Sequence, residues 1–108
     1  MNAGVSMPYL VQVLLPVYDN GGDRFPTDHY DEVRAKLTDK FGGSTAYTRA
    51  PAEGLWNSAG TVKRDDIVVV EIMAQSLDRA FWADYRRELE ELFHQDEIVI
   101  RAQKYEAL

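Results

Sequence analysis

The stretch Asp66-Ile67-Val68-Val69-Val70-Glu71-Ile72-Met73-Ala74 decides the fold. Its β-branched residues favour a pleated surface, and a strand sends successive side chains to opposite faces. Val68, Val70 and Ile72 therefore share one side, and Ile67, Val69, Glu71 and Met73 the other. Two further segments repeat this layout. Tyr9, Val11, Val13 and Leu15 alternate with Leu10, Gln12 and Leu14, and Ile98, Ile100 and Ala102 alternate with Val99, Arg101, Gln103 and Tyr105. Each strand thus has one clean apolar face and one apolar face interrupted by a polar residue: Gln12, Glu71 or Arg101. The mixed face is too apolar for water, yet polar groups buried in it need partners.

The segments between these strands supply the remaining elements. Asp19-Asn20-Gly21-Gly22-Asp23 predicts a loop, since paired glycines cost a regular element too much backbone entropy. A helix is predicted after Pro26, capped by Thr27, with Asp28, Asp31 and Glu32 at its positive end and Tyr30, Val33, Leu37 and Phe41 as its apolar stripe. Gly42-Gly43 ends it. Ser44 to Arg49 predicts a short edge strand, with Pro51 preventing further pairing. Glu53 to Arg64 predicts a hairpin arm, Leu55-Trp56 facing Val62-Lys63 across Asn57-Ser58-Ala59-Gly60. A second helix is predicted after Ser76 as cap, with Phe81, Trp82, Tyr85, Leu89, Leu92 and Phe93 on one side. Arg86–Glu90 and Arg87–Glu91 are expected on its solvated side, paired in the weaker order.

The order strand, helix, strand, strand, helix, strand predicts a ferredoxin-like α+β domain spanning residues 1–108, with a four-stranded antiparallel sheet and both helices on its clean face. The first and third strands should be central, the fourth beside the first and the second beside the third. Gln12, Glu71 and Arg101 then fall on neighbouring strands of the open face. Leu10, Leu14, Ile67, Val69, Met73, Val99 and Tyr105 surround them, an apolar patch that favours a homodimer with its open faces in contact.

This architecture resembles the dimeric α/β barrel superfamily. The run Phe41-Gly42-Gly43 through Arg49, Glu53-Gly54-Leu55-Trp56 and Asp65-Asp66 into the valine strand is similar to small bacterial proteins of unknown function. The resemblance implies a site inside the barrel. The superfamily includes cofactor-independent monooxygenases, lactone isomerases, haem-binding enzymes and ligand-binding regulatory domains.

Two interpretations of the polar row stay open. In one, Glu71 and Arg101 satisfy each other directly, through Gln12 or across a dimer interface, and fix strand register. In the other they form a small-molecule pocket: Arg101 binds an anionic or carbonyl oxygen, Glu71 accepts a proton or hydrogen bond, Gln12 orients the ligand, and Tyr105 and Tyr47 line the wall. Ligand binding is the leading function. An enzyme using Glu71 as base and Arg101 as oxyanion stabiliser, and a protein-interaction module built on the Trp56 arm, are the alternatives.

Composition narrows the field further. The chain has 108 residues, a net charge of −6 and no cysteine. Disulfides and thiolate chemistry are excluded, and the acidic field repels nucleic-acid backbones. No apolar run approaches the roughly 20 residues of a membrane span, and Met1–Pro8 lacks the features of a signal peptide, so a cytoplasmic location is expected. No cofactor is expected. Gly21-Gly22 and Gly42-Gly43 lack phosphate-loop context, and no Gly-x-Ser-x-Gly occurs. His29 and His94 are expected on helix ends at the surface, without metal-ligand spacing and off the barrel-facing strands, which speaks against haem.

Overall fold

The computed structural model describes residues 8–49 and 66–108. Six elements follow in the order β1 (Tyr9–Pro16), α1 (Thr27–Phe41), β2 (Thr45–Arg49), β3 (Ile67–Ala74), α2 (Arg79–Leu92) and β4 (Val99–Lys104). The strands form one antiparallel sheet ordered β2-β3-β1-β4, a ferredoxin-like α+β arrangement. The expected hairpin arm, including Trp56, lies outside the described residues.

Alternation along each strand sets the two faces. Val11, Val13, Leu15, Val70 and Ile72 on the helix-facing side are buried, with Val33 and Leu37 of α1 and Trp82, Tyr85, Leu89 and Phe93 of the second helical segment. Two aromatic groups close this layer: Phe41 stacks on Trp82 at 5.4 Å, and Phe25 meets Phe93 edge-on at 5.0 Å. His29 joins the second group, 5.5 Å from Phe93, so it is half-buried rather than a simple surface histidine.

The helix ends differ from expectation in ways the local chemistry explains. Pro26, at φ −57° and ψ 143°, occupies the position before α1, so Thr27 is already helical and supplies no side-chain cap. Gly42 ends α1 at φ +83°, and its amide donates to the Thr38 carbonyl. Asp78, not Ser76, caps α2: its carboxylate accepts from the Phe81 amide at 3.1 Å. That position leaves Leu77 just before the cap and Trp82 in the first turn, the spacing of a hydrophobic staple. Arg87 pairs with Asp84 at 2.7 Å instead of Glu91, the acid preceding the base as the helix prefers. Glu90 is not simply solvated. Its carboxylate lies 3.8 Å from Arg86 Nε and accepts from the Ile98 amide at 3.1 Å, tying α2 to the approach into β4.

Candidate functional site on the open sheet face

Strand register builds the site. Arg101 pairs with Gln12, Gln12 with Glu71, and Glu71 with Thr45, so one row of side chains crosses all four strands. Neighbouring strands lie about 4.8 Å apart, which places Arg101 and Glu71 two spacings from each other. The glutamine amide spans that interval. Arg101 Nε donates to Gln12 Oε1 at 2.8 Å, and Gln12 Nε2 donates to Glu71 Oε1 at 2.7 Å. The charges on either side dictate the amide's orientation, oxygen toward the cation and nitrogen toward the carboxylate.

Tyr47 completes the chain from the outer strand. It pairs with Val69, one same-face position along from Thr45, and its hydroxyl reaches diagonally to donate to Glu71 Oε1 at 2.7 Å. This bond to a carboxylate, followed by partial burial and the Glu71 charge, raises the phenol pKa above its ordinary value. Tyr47 is therefore a proton-bearing donor at neutral pH, not a base. Sequence reading had placed it only as a wall residue.

The chain Arg101–Gln12–Glu71–Tyr47 leaves two open ends. Among the described residues, neither the Arg101 terminal amines nor Glu71 Oε2 has a partner. The row can thus offer a cationic fork to an oxygen and, two strands away, a carboxylate oxygen to a donor. Arg101 is exposed, and Gln12 and Glu71 are half-buried, so no charge is sealed in the fold. Tyr105 does not join the row. Its hydroxyl contacts the Met73 sulfur, at the end of the face where Leu10 pairs with Met73.

The apolar surround is less bare than expected. Val69, set between Leu14 and Tyr47 on adjacent strands, is only 1% exposed; Leu10, Leu14, Ile67 and Tyr105 are half-buried. Met73 and Val99 remain open at 58% and 47%, on opposite sides of the polar row. Among the described residues no cluster of three or more His, Asp or Glu side chains is arranged to hold a metal ion, and no helix is long and apolar enough to cross a membrane.

No protein-family model matches the chain, and no curated protein matches it. Among solved structures, it is similar to a phage SAM lyase in complex with S-methyl-5'-thioadenosine. The TM-score is 0.57 at 12% sequence identity, over 94% of this chain and 90% of that one. The likeness is one of fold, and it extends over nearly the whole of both chains.

Proposed function

We propose that this protein is a homodimer of the dimeric α/β barrel type that binds a small organic ligand between its two open sheet faces. The observation that carries this is the hydrogen-bonded row Arg101–Gln12–Glu71–Tyr47, which runs through an apolar surface and keeps one cationic and one anionic end available. Bringing two such faces together removes Met73 and Val99 from water and lowers the dielectric around the row, which strengthens polar recognition there. The ligand carries a carbonyl or anionic oxygen for Arg101 and a hydrogen-bond donor for Glu71.

An enzyme is the second interpretation, favoured by the Tyr47–Glu71 bond. A phenol held protonated beside a carboxylate provides paired donor and acceptor groups for a proton transfer. The similar phage lyase structure holds S-methyl-5'-thioadenosine, which makes that nucleoside a rational first probe here.

Light scattering tests the assembly. A dimer is expected at micromolar concentration, and Met73→Asp with Val99→Asp should convert it to a folded monomer, because both side chains are exposed and lie outside the core. A wild-type monomer refutes the model. Ligand-observed NMR with S-methyl-5'-thioadenosine and a panel of carboxylates and lactones tests the site. Arg101→Met and Glu71→Gln should each abolish a hit while preserving the fold; binding indifferent to both removes the row from recognition.

A further inference from the structure

On the opposite side of the sheet, part of the seam between α2 and the edge strand β4 stays open as a groove. The cause is visible in side-chain size. Positions 79, 82, 83 and 86 form the stripe of α2 nearest β4, and Ala83 stands where a large residue would bridge the gap. On β4 the helix-facing positions are Ile100, Ala102 and Lys104, and Ala102 sits exposed opposite the buried Val11. Two alanines facing a common space leave a groove of about 520 Å³, within the range of small-molecule sites.

The groove is amphipathic in a defined way. Its floor and apolar wall come from Val11, Ile100, Ala102, Trp82 and Leu77, and its rim carries Arg79, Arg86, Arg101 and Lys104. None of its lining residues is acidic, although the chain has 18 acids against 12 bases. Arg79 has no ion-pair partner among the described residues, Arg86 meets Glu90 only at 3.8 Å, and Lys104 rests 5.8 Å from the Tyr9 ring. Arg79 and Arg86 are seven residues apart on one helix, roughly 10 Å along its axis, so they flank the Trp82–Ala83 section of the groove.

We propose that this groove is a second ligand site, for a small apolar molecule bearing one anionic group. The aliphatic or aryl body lies over Ala102 and Val11 beside Trp82, and the carboxylate, sulfonate or phosphate meets the guanidinium rim. Charge complementarity selects the occupant. A neutral apolar molecule leaves four cations unused, and an anionic bilayer is repelled by the net charge of −6 elsewhere on the chain. Arg101 of the open-face row also lines the groove, while the ligand's apolar body lies on the helix-facing side of β4.

The experiment titrates naphthalene-2-sulfonate into the intact protein and follows backbone amide shifts, with naphthalene-2-methanol as the neutral control. Saturable shifts centred on Ala83, Arg86, Ile100 and Ala102 are expected, with the neutral probe at least fivefold weaker. Ala102→Leu and, separately, Ala83→Leu should fill the space and abolish binding while the remaining spectrum stays native. Arg79→Gln with Arg86→Gln should weaken the sulfonate at least fivefold and leave the neutral probe unchanged. Equal affinity for both probes, shifts spread over the surface, or binding that survives both leucine variants overturns the proposal. So does NMR evidence that a second copy of the chain covers the groove in solution.

Discussion

Replacing Glu90 with alanine should cost more than any surface ion pair in the protein explains. The carboxylate makes two contacts of unequal worth. Its 3.8 Å approach to Arg86 is a long, partly exposed pair in the weaker order, worth at most a few tenths of a kcal/mol. Its bond to the Ile98 amide is different, because Ile98 is 3% exposed and its N–H meets the carboxylate at 3.1 Å. Stranding a largely buried donor costs about 1–3 kcal/mol. Alanine's better helix propensity returns a few tenths, so Glu90→Ala should lose about 1–2 kcal/mol. Arg86→Ala should lose under about 0.5 kcal/mol. Glu90→Gln retains an acceptor oxygen and should recover at least half of the alanine loss. Urea unfolding followed by circular dichroism measures all three, with an unchanged m-value confirming that native-state stability is being compared. Equal losses for Glu90→Ala and Arg86→Ala, or a glutamine variant as unstable as the alanine one, would show that the Ile98 bond carries no weight.

Two further outcomes follow from local geometry. His94 follows α2 at φ +51°, a left-handed conformation that favours glycine, so His94→Gly should raise stability by about 0.5–1 kcal/mol, read as a higher melting temperature; a lower one would show that the imidazole makes compensating contacts. Burial first, then the Glu88 and Glu32 charges, raises the Tyr85 pKa, and burial likewise raises that of Tyr30. Above about pH 10 the unfolded chain releases these protons while the native state retains them, so stability falls with rising pH, by at most about 1.4 kcal/mol per pH unit for the buried Tyr85. Tyr85→Phe should flatten that alkaline decline in urea titrations at pH 9 to 11, and an unchanged slope would remove Tyr85 as its source.

The fold was legible because alternation in three strands has a strict period of two. Once Gln12, Glu71 and Arg101 were assigned to the same face, antiparallel pairing could bring them into one row, and the register does so. The outer strand was harder to read. Thr45-Ala46-Tyr47-Thr48-Arg49 contains little apolar contrast, so nothing in it announced the slant by which Tyr47 reaches Glu71. Glu90 was misread because its main partner is a backbone amide, and an amide has no sequence signature. The groove beside β4 was equally hidden. Alanine at positions 83 and 102 is ordinary in either element, and only the distance between helix and sheet edge turns two small side chains into a space.

The strand order also bears on how the molecule reaches its native state. The hydrogen bonds of the polar row join residues 59 and 89 positions apart, and the β1–β4 ladder unites segments from opposite ends of the described chain. Such pairings pay loop-closure entropy before they return any contact energy, which makes this domain a slower folder than a helical bundle of its size. The Gln12–Glu71 half of the row closes the shorter loop, and Arg101 docks across the longer one. A partly folded chain can therefore present its carboxylate before its guanidinium, and the complete polar row exists only after the sheet has gained its last edge.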